Sequence, residues 1–325
     1  MKVKLVDESF LIRGTFTISR GSRTHAKVVV VELHQGQYVG RGECVPYARY
    51  NESIESVLAE LAPLAVKIEA GLTREQMQSL LPAGAARNAL DCAYWDLECK
   101  QHDQRIWQRL PIAQPTSQIT AFTLSLDTPE KMKAAAIANT HRPLLKLKLA
   151  GEGDVERVAA VREGSPDARI IVDANEGWTE AQYLEMVPEL VKLGVEMIEQ
   201  PFPANNDSAL ERLPRPITLC ADESCHDRSS LPQIIGRYDM INIKLDKTGG
   251  LTEALALKEE AQKAGLQIMI GCMLATSLAM APAFMVAQGV DVVDLDGPLL
   301  LAEDREHPIT FTESLMHVCE AQLWG

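Results

Sequence analysis

The amino-acid sequence predicts an α/β fold in which a (β/α)8-type barrel carries an α+β capping domain, formed by the N-terminal region and the C-terminal tail. The chain has 325 residues, enough for two domains, and 46% of them are hydrophobic, which is ample for a large core. After residue 115, eight short apolar runs alternate with helical patterns, the number that closes such a barrel. An open, doubly wound sheet would normally carry a glycine-rich turn after its first strand, and residues 126–130 contain no glycine.

The first part of the chain is predicted to form a small antiparallel sheet followed by helices. Val28–Leu33 is a β-branched run, Gly36 lies in a turn, and Tyr38–Glu43 returns as the partner strand. Apolar residues at helical spacing predict helices over Ser53–Glu69 and Arg87–Lys100. We therefore expect a hairpin and at least two helices before the barrel begins.

Prolines at positions 111 and 115 mark the predicted end of this domain. We expect a capping domain over residues 1–115, a TIM-like barrel over 116–300, and a tail over 301–325 that packs on the capping domain. The predicted barrel strands are Ile119–Leu126, Leu144–Leu149, Ile170–Asp173, Glu196–Gln200, Ile217–Ala221, Met240–Leu245, Gln267–Gly271 and Val292–Asp296.

The charge balance narrows the classes of partner. Lys and Arg number 32 and Asp and Glu number 45, a net charge of −13, so the molecule repels polyanions and we expect no nucleic-acid partner. Charges within Met1–Phe10 leave no room for the apolar core of a signal peptide, and no apolar run of about 18 residues follows. The sequence thus predicts a cytoplasmic protein without a membrane partner, and it does not indicate an oligomeric state.

Acidic residues occur at the predicted carboxyl ends of three consecutive barrel strands. Asp173 ends strand three, Glu199 lies at the end of strand four, and Asp222 follows strand five. A single carboxylate at such a rim is usually a solvated charge, but three adjacent anions require a cation or a proton among them. Oxygen ligands select a hard ion, so the pattern predicts a Mg²⁺ site in preference to a zinc site.

Lysines on other strands predict acid–base chemistry at the same rim. Lys146 and Lys148 share one face of strand two, and Lys244 lies on strand six, which is diametrically opposite in an eight-stranded barrel. A neighbouring ammonium and a divalent ion both lower the pKa of a lysine toward the range that a general base requires. Bases on both sides of one carbon permit a 1,1-proton transfer that inverts a stereocentre, and this is the reaction type that we predict.

Several motifs occur in register along the chain. The strand-end motifs are Leu145–Lys148, Val172–Asn175, Ile198–Pro201, Ala221–Ser224 and Asn242–Leu245. Together they resemble the enolase superfamily, muconate-lactonising subgroup, over both the first region and the barrel. Within that subgroup the sequence is most similar to the bacterial dipeptide epimerases that act on L-Ala-D/L-Glu. The segments with this closer likeness are Pro82–Asp91, Cys220–Cys225, Lys244–Gly250 and Asp294–Gly297.

The resemblance implies a role for each residue at the rim. It implies one Mg²⁺ per subunit, and a substrate carboxylate bound by Lys146, which also tunes its neighbouring base. The implied metal ligands are Asp173, Glu199 and Asp222, and the implied catalytic acid–base groups are Lys148 and Lys244. The mandelate racemase subgroup instead uses a histidine on strand seven, and Ile268–Gly271 contains none.

The resemblance also implies a pocket for a dipeptide. Asp294 and Asp296 would receive the free ammonium group of the alanyl residue, which an N-acylated amino acid lacks. Arg20 or Arg23, in the loop expected to cap the barrel mouth, would bind the glutamyl carboxylate, and we assign this role to Arg23. The remaining pocket would be lined by Thr123 and by the loop from Cys272 to Leu274.

Three aromatic or imidazole side chains admit two interpretations. Tyr47 and Tyr50 either close the same mouth or pack against the hairpin. His226 follows strand five, and we interpret it as a loop or helix-start residue rather than a catalytic group.

The activity implied by the resemblance is that of an isomerase. It is Mg²⁺-dependent epimerisation at the glutamyl α-carbon of L-Ala-D/L-Glu, in the recycling of peptidoglycan peptides. Two alternatives use the same groups: racemisation of N-acylamino acids, and β-elimination as in o-succinylbenzoate synthase. A third alternative is a non-catalytic barrel that binds a ligand and keeps a metal for stability, but a structural cation has no need of two flanking lysines.

Overall fold

A computed structural model describes residues 1–110 and 112–325; Pro111, at the predicted domain boundary, lies outside the described residues. Its strands are β1 Lys2–Ile18, β2 Gly21–Gln35, β3 Tyr38–Cys44, β4 Gln118–Ile119, β5 Phe122–Leu124, β6 Leu144–Lys148, β7 Arg169–Asp173, β8 Val195–Glu199, β9 Thr218–Ala221, β10 Met240–Ile243, β11 Gln267–Gly271, β12 Val292–Asp294, β13 Phe311–Thr312 and β14 Leu315–Met316. Its α-helices are α1 Ile54–Leu61, α2 Leu64–Glu69, α3 Arg74–Met77, α4 Ala85–His102, α5 Ile106–Arg109, α6 Pro129–Ala138, α7 Asp154–Gly164, α8 Glu180–Lys192, α9 Leu231–Ile234, α10 Leu245–Thr248, α11 Leu251–Lys263, α12 Ser277–Val286 and α13 Gly297–Leu300. Among these, none is long and apolar enough to cross a membrane.

The N-terminal sheet has three antiparallel strands in the order β1-β2-β3. The predicted hairpin corresponds to β2 and β3, whereas β1 was not predicted. Helix α4 packs closely on β3, because Gly42 carries no side chain: a methyl group there would lie 2.1 Å from the Ala89 carbonyl oxygen. The predicted helix Ser53–Glu69 is divided in two, with Pro63 preceding the second helix, α2.

The barrel consists of eight parallel strands in the order β5 to β12, as the sequence predicts. The first and last strands are joined by a hydrogen bond of 2.8 Å from the Ala121 N–H to the Val293 carbonyl. Each strand lies within a residue or two of its predicted position except the first, which is divided into β4 and β5. The TIM-like fold is therefore confirmed, and its carboxyl-end rim faces the N-terminal sheet.

The C-terminal segment contacts both parts of the molecule. β14 pairs with β4 at the start of the barrel. Further along, the Trp324 indole N–H donates to the Cys92 carbonyl at 3.0 Å, and the Gly325 N–H donates to Asp96 at 2.8 Å, both on α4. The division into domains at residues 115 and 300 stays a prediction.

Candidate active site

The strand register brings the predicted charged residues together at one rim. Lys148 pairs with Asp173 across β6 and β7, and Asp173 pairs with Glu199 across β7 and β8. Glu199 pairs in turn with Cys220, so that Asp222 follows two residues further on. All of these charged side chains are buried. The strand register therefore places these side chains side by side at one rim, and their convergence on a single metal ion stays a prediction.

Two of the carboxylates are oriented by neighbouring amides. Asp173 accepts hydrogen bonds from the backbone and side-chain N–H groups of Asn175 at 2.8 and 3.0 Å, and from Lys148 at 2.6 Å. Glu199 accepts one from the Asn242 side chain at 2.7 Å. Asn242 was not predicted as a site residue, although it lies two positions before Lys244 and so shares its face of strand six.

Asp222 is held between two lysines. Its two carboxylate oxygens each lie 2.6 Å from an ammonium nitrogen, one of Lys244 and one of Lys247. Burial opposes the charged form of Asp222, but these ammonium groups outweigh it and hold the pKa of Asp222 well below its ordinary value. Lys247 was missed in the sequence, where it lies one helical turn after Lys244 in a motif that was otherwise noted.

Lys146 is enclosed by acidic side chains. Its ammonium nitrogen lies 2.7 Å from Asp294, 2.6 Å from Glu199 and 3.8 Å from Asp173. Burial disfavours the ammonium, yet the three carboxylates outweigh it and raise the pKa of Lys146 well above its ordinary value. Burial likewise opposes the ammonium of Lys244, and Asp222 and Glu199 reverse the effect, so its pKa is also raised.

The acidic pair of strand eight differs in its partners. Asp294 binds Lys146 through one oxygen, while its other oxygen is buried and has no hydrogen-bond partner in the described part of the chain. Asp296 accepts the Thr123 backbone N–H at 2.6 Å. Burial, together with the charge of Asp294, raises the pKa of Asp296 to about 6. The predicted ammonium site is therefore partly filled by Lys146 in this structure.

A cavity opens above this cluster, between the barrel rim and the first domain. Six of the predicted residues line it. Five others form the charged cluster below: Lys146, Asp173, Glu199, Asp294 and Asp296. Thr123 contacts that cluster through its backbone N–H. The lining includes Lys148, Lys244, Asp222, Arg23, Cys272 and Leu274, together with Tyr47, Tyr50 and the apolar side chains Phe16, Ile18 and Met273. Of the two interpretations of the tyrosines, lining the mouth agrees with the structure. His226 lies in the loop after β9, edge-on to Tyr50, with ring centroids 4.6 Å apart.

The two candidate arginines have different surroundings. Arg20 connects the tip of the β1–β2 hairpin to the rim: it donates to Glu223 at 2.8 Å, to the Asn175 carbonyl at 3.0 Å and to the Tyr47 hydroxyl at 3.1 Å. Arg23 is exposed and lies over the Tyr47 ring at 5.2 Å, with no carboxylate partner among the described residues. Arg23 is thus the arginine that is free to bind a ligand.

Glu223 is a rim residue for which the sequence predicts no role. It lines the cavity, and its second carboxylate oxygen is buried without a hydrogen-bond partner among the described residues. Burial and the charges of Asp222 and Asp173 raise its pKa to about 7. Its position directly after Asp222 is the only signal in the sequence that could have found it.

The donor set fits a hard divalent cation. Asp173, Glu199 and Asp222 offer only oxygen atoms, and one buried oxygen of Glu199 lacks a hydrogen-bond partner although it lies 2.6 Å from Lys146. Within residues 1–110 and 112–325, however, no three acidic, histidine or cysteine side chains are gathered into a metal-binding group. Lysine ammonium groups bind the carboxylates instead, and the metal ligand set stays a prediction.

Comparison with known families gives the same assignment as the motifs. Residues 1–110 match the family described as mandelate racemase/muconate lactonizing enzyme, N-terminal domain, and residues 130–321 match the enolase C-terminal domain-like family. The chain belongs to the enolase superfamily. The resemblance drawn from the motifs is therefore confirmed.

Two relatives of this enolase superfamily member are similar along almost their whole length. L-Ala-D/L-Glu epimerase of Escherichia coli strain K12 is 48% identical over 318 residues, which cover 97% of this chain and 99% of the relative. N-acetyl-D-glutamate racemase of a Pseudoalteromonas species is 45% identical over 302 residues, which cover 92% of this chain and 95% of the relative. Epimerases and racemases are isomerases, so this enolase superfamily member is an enzyme of that class, and the non-catalytic alternative is not supported.

Two solved structures of dipeptide complexes share the fold. An enolase family member from Agrobacterium tumefaciens with homology to dipeptide epimerases, with bound sodium and L-Ala-L-Glu, is 49% identical with a TM-score of 0.98, covering 99% of each chain. A dipeptide epimerase from Enterococcus faecalis, complexed with Mg and L-Leu-L-Tyr, is 27% identical with a TM-score of 0.90, covering 98% of this chain and 97% of the other. Structural neighbours of this enolase superfamily member thus bind dipeptides together with metal ions.

Proposed function

We propose that this enzyme epimerises L-Ala-L-Glu and L-Ala-D-Glu at the glutamyl α-carbon, with one Mg²⁺ bound by Asp173, Glu199 and Asp222. The observation that carries the proposal is the placement of Lys148 and Lys244. Lys148 ends strand β6 and Lys244 follows strand β10; these strands are four places apart in a ring of eight, and both lysines line the cavity. A substrate carbon held between them would be accessible to one lysine on each face.

The acid–base roles follow from this placement. One lysine would remove the α-proton as a general base, and the other would return a proton to the opposite face as a general acid, so that the configuration inverts. When bound, Mg²⁺ would polarise the substrate carboxylate and make the α-proton acidic enough to remove. Lys146 would bind the same substrate carboxylate. Once the Lys146 ammonium leaves Asp294, that aspartate would be free to bind the alanyl ammonium.

The proposed setting is the recycling of peptidoglycan peptides in the cytoplasm, as implied by the resemblance to the bacterial dipeptide epimerases. Support for a dipeptide rather than a single amino acid comes from Asp294 and Asp296. Both are buried at the end of strand eight. One oxygen of Asp294 has no hydrogen-bond partner among the described residues, and burial of such an oxygen is favourable only when a cation or a hydrogen-bond donor binds it.

Incubation of the enzyme with L-Ala-L-Glu and Mg²⁺ in D₂O tests the proposal. We expect deuterium at the glutamyl α-position and formation of L-Ala-D-Glu, both followed by NMR, and we expect EDTA to abolish both. Absence of metal-dependent deuterium incorporation would reject the proposed reaction.

A second candidate is racemisation of N-acylated glutamate. It is favoured by the 45% identity to N-acetyl-D-glutamate racemase, and by the ion pair of 2.7 Å that already occupies one oxygen of Asp294. We expect kcat/KM for L-Ala-L-Glu to exceed that for N-acetyl-L-glutamate; the reverse order would make the racemase the better assignment.

The glutamyl carboxylate is assigned to Arg23, which of the two candidate arginines is the one without a carboxylate partner among the described residues. We expect Arg23→Ala to raise the KM for L-Ala-L-Glu by about 10- to 100-fold with little change in kcat, because a hydrogen bond to a charged group contributes about 1.5–3 kcal/mol. Steady-state kinetics with L-Ala-L-Gln provide the control, since this substrate has no side-chain carboxylate. An equal rise in KM for both substrates, or no rise, would contradict the assignment.

A further inference from the structure

Helix α4 of the N-terminal domain contacts the segment that follows Lys244. Arg87 donates to the Thr248 carbonyl at 2.7 Å, and Asp91 accepts from the backbone and hydroxyl of Thr252 at 2.9 and 2.7 Å. Between these contacts, Asn88 donates to the Asp246 carboxylate at 2.9 Å. Two sequence motifs, Pro82–Asp91 and Lys244–Gly250, are therefore in direct contact.

Asp246 is the centre of this contact. Its Oδ1 accepts both the Asn88 amide and the Val45 backbone N–H, the latter at 3.0 Å, and all three groups are buried. Burial raises the pKa of Asp246 to about 7, against the lowering effect of these two hydrogen bonds. Because one oxygen accepts both bonds, an asparagine side chain could replace the aspartate with the same geometry.

Two glycines allow the close approach of α4. A methyl group at Gly249 would lie 2.3 Å from the Arg87 side chain, and one at Gly250 would lie 2.6 Å from the Asp91 carboxylate. Both glycines have positive φ angles of +80° and +111°, which a larger residue adopts only with strain. The segment is thus shaped to fit against the first domain.

The short helix α10 transmits this contact to the rim. Lys244 is its N-cap residue, Asp246 binds the first domain, and Lys247 binds the Asp222 carboxylate at 2.6 Å and the Asn242 carbonyl at 3.0 Å. A displacement of α10 would therefore move Lys244 relative to the rest of the rim.

The loop that follows Lys148 is held differently. The Leu149 N–H donates to the Asp173 carbonyl at 2.9 Å. The backbone N–H groups of Ala150 and Gly151 both donate to Asp154, the latter at 2.7 Å, and Asp154 in turn accepts from Trp178. These partners all belong to the barrel, whereas the segment after Lys244 is also bound by helix α4 of the first domain.

We propose that Asn88 and Asp246 are positioning residues for Lys244, through which the first domain sets the geometry of one of the two proton transfers. This inference rests on the proposed function, because it concerns the lysine that acts on one face of the α-carbon. Loss of the hydrogen bond between Asn88 and Asp246 slows proton transfer by Lys244 more than proton transfer by Lys148, because a displacement of a reacting group by about 1 Å costs about 100-fold in rate.

The test measures α-proton exchange in D₂O separately for L-Ala-L-Glu and L-Ala-D-Glu, as initial rates by NMR. The substrate that depends on Lys244 is first identified as the one whose exchange Lys244→Ala abolishes. In Asn88→Ala and Asp246→Ala we expect the exchange of that substrate to fall by about tenfold or more relative to the other. Asp246→Asn should restore the wild-type ratio.

Asp154→Ala is the matched comparison, because it loosens the loop after Lys148 and should not lower exchange of the Lys244-dependent substrate selectively. The ratio of the two exchange rates does not depend on the fraction of folded enzyme. If Asn88→Ala fails to fold, Asn88→Ser replaces it in the same measurement.

An unchanged ratio in both alanine variants, with exchange present in the wild type, would overturn the positioning role alone. A wild-type enzyme that exchanges neither substrate would overturn the proposed function as well.

Discussion

Replacement of Lys244 with alanine is expected to abolish net epimerisation while leaving α-proton exchange in one of the two dipeptides. The remaining lysine, Lys148, can still remove and return a proton on its own face, but no group can deliver a proton to the opposite face. General acid–base catalysis contributes about 10²–10⁴-fold to the rate of a reaction, so we expect the rate of epimerisation to fall by about 10⁴-fold or more. Stereospecific exchange in D₂O, together with chiral analysis of the product, measures both effects.

Lys263→Ala provides the control for this variant. Lys263 lies on the exposed surface of α11 in an ion pair with Glu259, and its removal should leave both rates unchanged. Loss of exchange for both dipeptides in folded Lys244→Ala, or retention of net epimerisation, would contradict the assignment of one lysine to each face.

Replacement of Glu199 with glutamine is expected to remove Mg²⁺ binding. The side chain is fully buried, and glutamine keeps its shape and its hydrogen bond from Asn242 while losing the negative charge and the ion pair with Lys146. Outer-shell changes at metal sites already cost about 10–100-fold in affinity, so loss of a ligand should exceed 100-fold. Isothermal titration with Mg²⁺ measures this, and we expect activity to fall by about 10³-fold or more.

Glu196→Gln is the matched control on the same strand. Glu196 is exposed at the opposite end of β8, where it forms an ion pair with Arg169, so its charge should not influence the metal site. An unchanged affinity for Mg²⁺ in the Glu199→Gln variant would exclude Glu199 as a ligand.

The barrel strands could be predicted because they are buried on both faces and form continuous apolar runs. Charged residues within such runs are conspicuous, and this is why Asp173, Lys148 and Lys244 could be identified from the sequence alone. Strand β1 could not be predicted, because nearly all of its residues are exposed or half-buried. Apolar residues follow its alternating burial only as far as Leu5, since Glu8 is half-buried and Leu11 is exposed.

The site residues that could not be predicted depend on contacts between segments distant in the sequence. Lys247 reaches Asp222 only because the chain turns into α10 directly after strand β10, and spacing alone does not predict that turn. The contact of Asn88 with Asp246 joins residues 158 positions apart in two motifs that have no charge or hydropathy pattern in common. The rim carboxylates form ion pairs with lysines in this structure. Which carboxylate pairs with which lysine likewise depends on side-chain geometry that residue types do not specify.

The first domain is attached to the barrel through α4 and Asp246, and separately through the hairpin tip around Arg20. Arg20 lines the cavity and donates hydrogen bonds to Glu223 and to the Asn175 carbonyl. A dipeptide that passes this hairpin tip has to break those bonds. We therefore expect the rate of ligand exchange with bulk water to follow the frequency of this opening, so that turnover of a fast substrate becomes sensitive to solvent viscosity.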